Sequence, residues 1–141
     1  TWFGAQAFCE KNGGSLPTES EWEFAANSGL LKTGTAYAGS AIASEVAWFN
    51  ESTLHQGGMK KANGLGIFDM SGNVAEWCND WYSDKAYENA AEKNPQGPKS
   101  GNKKVVRGGA YNQAPVTITG RNAQQPTTAS PYIGFRVVYK I

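Results

Sequence analysis

A chain of 141 residues is long enough to bury one hydrophobic core and too short for two. With 13 Lys and Arg against 12 Asp and Glu, it offers no basic face for nucleic acid or an anionic bilayer. Its apolar runs are only a few residues long, so nothing in it spans a membrane as a helix. The start, "TWFGAQAFCEKNGG", lacks the basic and apolar regions of a secretory leader and begins inside an amphipathic pattern. An N-terminal portion preceding Thr1 is therefore expected.

Trp2, Ala5, Phe8 and Cys9 recur at helical spacing and predict a short helix ended by Gly13 and Gly14. In "SLPTESEWEFAANSG", Thr18 and Glu21 stand at capping-box spacing and Pro17 precedes the cap. Trp22, Ala25 and Ala26 form the buried stripe of this second helix, which stops near Gly29. Glu19, Glu21 and Glu23 are expected on its solvated face. Residues 30–66 are rich in Gly, Ser, Ala and Asn and read as a long irregular loop anchored by Trp48 and Phe49.

The single histidine, His55, lies in the polar stretch "ESTLHQGG" and is expected at the surface. With no second histidine and no thiols at ligand spacing, zinc and iron sites lack support. Cys9 and Cys78 are expected as buried, unpaired thiols. "GIFD" (66–69), "KVVRGG" (104–109) and "IGFRVVYKI" (133–141) read as strands, and residues 83–103 as a polar surface loop. Arg107, Arg121 and Arg136 are expected to make planar hydrogen bonds to loop carbonyls. The class is α+β with low regular content, in a single domain over 1–141.

Four motifs, "SLPTESEWEFAA", "GLGIFDMSGNVAEWCNDWY", "VVRGGAY" and "IGFRVVY", stand in an order that resembles the formylglycine-generating enzyme (sulfatase-modifying factor) family. The resemblance implies a variant of the C-type lectin fold, of which this chain matches the C-terminal part. The family's enzyme oxidises a sulfatase cysteine with two copper-binding cysteines. Gln113 and Ile118 stand at the positions that match them, and Ala110 replaces the serine after Gly-Gly. Neither side chain forms a thiolate or binds Cu(I), so no copper and no formylglycine-generating activity are expected.

The segment 69–82, "DMSGNVAEWCNDWY", sets two hard carboxylates, Asp69 and Glu76, at the ends of a turn bent at Gly72. Two carboxylates, two carbonyls and waters suit calcium, which takes about 6–8 oxygen ligands at flexible angles. In the resembling enzymes the matching positions bind calcium, which implies Asp69, Gly72, Val74 and Glu76 as ligands here. The alternative reading is that both carboxylates simply cap turns. Cys78 is expected inert among the indoles of Trp77 and Trp81. Ala75 replaces a tryptophan of most relatives, leaving a wider groove floor unless Tyr111 or Tyr132 fills it.

The stretch between the Gly-Gly and Ile-Gly-Phe-Arg landmarks carries Tyr111, Gln113, Thr117, Thr119, Asn122 and Tyr132, taken as candidate ligand contacts. This suggests a non-catalytic domain binding a protein or small molecule. The resemblance extends to variable proteins of diversity-generating retroelements, in which this stretch is hypermutated. It also leaves a divergent enzyme completed by groups outside this chain, or a structural component of a surface or secretion assembly. A bacterial extracytoplasmic or cell-surface setting is expected.

Overall fold

The computed structural model describes residues 1–88 and 90–139. Helix α1 runs Trp2–Lys11, with the Thr1 hydroxyl accepting from the Gly4 N–H at 3.2 Å. Helix α2 runs Glu19–Ala26 and begins in a full capping box: Thr18 Oγ1 accepts from Glu21 N–H, and Glu21 Oε2 accepts from Thr18 N–H. A 3-10 turn, Gly29–Leu31, and a one-turn helix α3, Ala43–Val46, punctuate the loop that follows. Four strands complete the chain: β1 Ala75–Trp81, β2 Lys104–Arg107, β3 Arg121–Gln124 and β4 Ile133–Gly134.

The sheet order is β3-β2-β1-β4, antiparallel except for the β1–β4 pair. Its two faces pack different helices because alternate residues point to opposite sides. Trp77 and Val106 face α1 and form a core with Ala5, Cys9 and Leu16. Cys78 and Val105 face α2 and form a second core with Trp22, Ala26, Met70 and Ile118. The Lys104 amine lies 4.0 Å from the Trp2 ring and 3.9 Å from the Trp81 ring, and donates to Asn79 O at 2.8 Å. Trp2 Nε1 donates to Cys78 O, which ties the first turn of α1 to β1.

Both predicted helices form, and both cysteines are buried and unpaired. Other expectations need correcting. "GIFD" is no strand. Asn63 gathers this segment into a turn by accepting from Leu65 and Ile67 N–H through its side chain, and Gly66 and Asp69 take positive φ. The C-terminal strand narrows to Ile133–Gly134 and a lone bridge between Val138 and Ser15, and Lys140 and Ile141 lie outside the described residues.

The central strand β1 emerges instead from the segment read as a turn, and β3 from the stretch of candidate ligand contacts. Cys78 packs against Trp22 rather than the neighbouring Trp77, because consecutive strand residues face opposite ways. Phe8 is 53% exposed and meets the Phe135 ring edge-on rather than entering the core. His55 is half-buried, its ring stacked on Trp48 at 3.8 Å between centroids.

Glu19 departs furthest from expectation. It is 3% exposed, because the side chain turns under α2 to meet Arg107 and Arg121. The three arginines pair chiefly with carboxylates: Arg107 with Glu19 and Glu23, Arg121 with Glu19, Arg136 with Glu76. Carbonyls of Ile118, Ser83 and Phe68 add one bond to each guanidinium in turn.

Candidate ligand cleft and metal turn

The turn leading into β1 is fixed by three left-handed residues, Asp69, Gly72 and Asn73. At Gly72 the backbone comes so close to Trp48 that an added Cβ would lie 2.3 Å from the Trp48 carbonyl oxygen. Asn73 then clips the turn to its surroundings. Its N–H donates to Trp48 O and its carbonyl accepts from Tyr111 N–H. Its side chain exchanges two bonds with the backbone of His55, each 3.1 Å long.

Asp69 and Glu76 differ in how far their oxygens are committed. Asp69 Oδ2 accepts from Gly58 N–H at 2.6 Å, while Oδ1 is buried without a partner. Glu76 is 5% exposed, and Arg136 grips it through Nη2–Oε1 and Nε–Oε2 bonds of 2.6 Å each. Trp22 Nε1 donates to the same Oε2 at 2.7 Å. Among the described residues, the Gly72 and Val74 carbonyls accept no hydrogen bond.

The unpartnered Asp69 oxygen and the two free carbonyls are donors of the kind a hard cation takes, and Glu76 Oε1 keeps one lone-pair direction open. Among the described residues no three His, Cys, Asp or Glu side chains converge. Asp69, Glu76 and the two carbonyls would offer a cation oxygen donors only.

On the α1 side of the sheet lies a cleft of about 250 Å³. Ala75, Val106 and Ile133 contribute its apolar floor, and Gln113, Asn122, Gln124 and Tyr132 bring polar groups to it. Asn122 stands directly opposite Val106 in the β2–β3 register, so both face the same side, as does Gln124 two residues on. Among the described residues Arg121 is the only charged one in the lining, and its guanidinium is already held by both oxygens of Glu19 and by Ser83 O.

A family model described as the sulfatase-modifying factor enzyme 1-like domain matches residues 1–141. The chain belongs to that family. A protein named serine/threonine-protein kinase pkn1 from Chlamydia pneumoniae is 34% identical over 145 residues, covering 100% of this chain and 23% of that protein. The formylglycine-generating enzyme of Streptomyces coelicolor is 32% identical over 160 residues, covering 96% of this chain and 50% of the enzyme. Among solved structures, Treponema denticola variable protein 1 is similar with a TM-score of 0.76 and 33% identity, over 86% of this chain and 46% of that one. This chain thus spans half or less of each. The fold is the formylglycine-generating-enzyme type of C-type lectin fold.

Within this family domain, the two positions that the resemblance sets against the enzyme's thiols fall in different surroundings. Gln113 lines the cleft, whereas Ile118 is buried on the α2 side of the sheet. Of the sequence-derived ligand contacts, Gln113, Asn122 and Tyr132 line the cleft. Tyr111 sits beside it with its ring 5.5 Å from that of Tyr132. Thr117 and Thr119 are exposed outside the lining, their hydroxyls 3.4 Å apart. Asn112, Gln124 and Ser130 line the cleft without having been singled out. Alternation along "RNAQ" was the available signal for Gln124, but no apolar residue larger than alanine marks that strand.

Proposed function

We propose that this domain is a non-catalytic binding module, stiffened by calcium and holding an uncharged polar ligand in the cleft beside β3. The observation that carries the reading is the chemistry of the lining. It presents amides, hydroxyls and an apolar floor, and its one charged side chain among the described residues is spent on Glu19. Hydrolytic or redox chemistry calls for a titratable acid or base, an activated nucleophile or a soft metal ligand. Amides and hydroxyls on loops held by a rigid sheet suit recognition instead.

Calcium would rest on Asp69, the Gly72 and Val74 carbonyls and Glu76. Its role would be to neutralise Asp69 and hold the turn that positions Ala75 at the cleft floor. The cleft residues of the stretch 110–132, among them Gln113 and Asn122, are where a retroelement-diversified protein would vary. The likeness to the Treponema denticola variable protein supports that form of the proposal. Sibling sequences whose differences concentrate in 110–132 would agree with it, and differences spread evenly along the chain would remove it.

The direct test is binding. The chain is screened against arrays of neutral oligosaccharides and of unmodified peptides, and hits are repeated with Gln113→Ala and Asn122→Ala. A ligand weakened about tenfold by either change, roughly one lost hydrogen bond, supports the reading. Hits indifferent to both changes, or no hit on either array, would discard it.

A further inference from the structure

Asp80 stands near the end of β1, and its carboxylate meets the first turn of α2, where Oδ2 accepts from the Glu19 N–H at 2.8 Å. The residue is only 5% exposed, and segment 95–101 is what covers it. Gly97, at a φ of 68°, lies so close that an added Cβ would stand 2.7 Å from Asp80 Oδ1. On either side of this contact the segment is pinned lightly. Pro95 O accepts from the Ser20 hydroxyl at 3.3 Å, and Gly101 rests against Trp81, where an added Cβ would stand 3.0 Å from the Trp81 Cβ. A cavity of about 10 Å³ is all that remains between the carboxylate and its cover, room for one water at most.

The cover is weakly held. From residue 90 to residue 102, no backbone N–H among the described residues donates to a backbone carbonyl. A stretch with so few bonds opens locally while the sheet beneath it stays folded. The charged and titratable neighbours of Asp80 are engaged elsewhere or offer it nothing. Glu19, on α2, is paired with Arg107 and Arg121. Lys104, on β2, donates to Asn79 O between the rings of Trp2 and Trp81. Tyr87, on the covering loop, lines the same small cavity.

We propose that segment 95–101 is a pH-sensitive latch over Asp80, closed while the carboxyl is protonated and released when it ionises. The backbone around Lys93 and Lys99 is thereby protected in acid and open to cleavage near neutrality. An ionised carboxylate gains most from water, and water reaches it only when the cover lifts. Burial pushes the covered carboxyl up to about 6, against the Glu19 N–H and Lys104, whereas a carboxyl open to water titrates near 3.8. The closed form therefore holds the proton more tightly, an advantage complete below pH 3.8 and lost as pH rises through about 6. The opening equilibrium should rise about tenfold between pH 5 and 7 and level off above. Both halves of the latch belong to this chain, so its action needs no ligand in the cleft.

The experiment is limited trypsin digestion of the native chain from pH 5 to 8, with cuts after Lys93 and Lys99 followed by mass spectrometry. Asp80→Asn is digested alongside at each pH, which cancels the protease's own pH dependence. The ratio of parent to variant cleavage rates should climb about tenfold from pH 5 to 7 and stay level to pH 8. Gly97→Ala gives a second reading that does not depend on that variant folding. Its Cβ props the segment off the carboxylate, so cutting should speed up about tenfold at pH 5 and little at pH 7. Urea at about 1 M should change the parent's rate less than twofold, because a local opening exposes little surface. A parent-to-variant ratio constant with pH overturns the latch. So does cutting as fast as in a short free peptide at every pH, a steep rise with urea, or indifference to Gly97→Ala.

Discussion

Arg121 meets Glu19 in a forked pair, with Nε 2.6 Å from Oε1 and Nη2 2.7 Å from Oε2, across 102 positions of sequence. Glu19 Oε1 also accepts from the fully buried Arg107 at 2.8 Å, so one carboxylate joins α2 to β2 and β3. Removing its charge leaves two guanidiniums short of a partner in a region poor in water. Glu19→Gln should cost about 3–5 kcal/mol of stability, the usual loss when one partner of a buried pair is removed. Urea unfolding followed by tryptophan fluorescence measures it, and a loss below about 1 kcal/mol would mean that the guanidiniums find water instead.

Gly72 should tolerate no side chain. Its φ of 72° strains any L-residue, and a Cβ would strike the Trp48 carbonyl. Gly72→Ala should lose about 1–3 kcal/mol from backbone strain alone. The clash comes in addition, and the Trp48–His55 stack should loosen with it. Thermal melting reports the first effect and histidine ring proton shifts report the second.

Calcium should raise the melting temperature relative to the same protein in chelator. At a concentration about a hundredfold above the dissociation constant, the gain is about 2.7 kcal/mol. Asp69→Ala should abolish the calcium-dependent part, and Asp69→Asn should keep most of it because an amide oxygen remains. Identical melting curves with and without calcium would show that the orphaned Asp69 oxygen does not hold a cation.

Asp80 is buried behind α2, where it accepts from the Glu19 N–H at 2.8 Å. Burial pushes its carboxyl up to about 6, with Lys104 pulling the other way. The folded state therefore holds this proton more tightly than the unfolded chain does. Its contribution favours folding below pH 4 and declines as pH rises to about 6, beyond which it is flat. Asp80→Asn keeps an oxygen acceptor and removes the titration. Relative to the parent, the variant should gain stability as pH rises from 4 to 6. A constant difference across that range would show that Asp80 titrates normally.

Cys78 should resist thiol reagents in the folded protein. It is fully buried, and desolvation holds its pKa well above that of a free thiol. Labelling with a chromogenic disulfide should therefore follow the unfolding rate. Rapid modification of Cys78 in native buffer would contradict the packing described for the α2 side of the sheet.

The legible parts of the sequence were those whose signals are local. A capping box is a three-residue relation, and the spacing from Trp2 to Cys9 repeats within two helical turns, so both helices could be read directly. The family motifs carried the lectin-like fold for the same reason: each is contiguous. The strands were harder. β1 hides in a segment whose glycine, asparagine and serine suggest only a turn, and β3 is four residues of mostly polar side chain. Neither alternates strongly, because one face of each meets charged or cleft groups rather than plain apolar packing.

The chain's sequence by itself determined the capped helices, the buried thiols and the two carboxylates flanking a glycine turn. Only the tertiary structure decided that Glu19 is interior and that Glu76 is shared with Arg136 and Trp22. Those pairings join residues up to 102 positions apart. A long-range hydrogen bond leaves no periodic trace along a chain, since its partners are set by how the sheet twists the segments together.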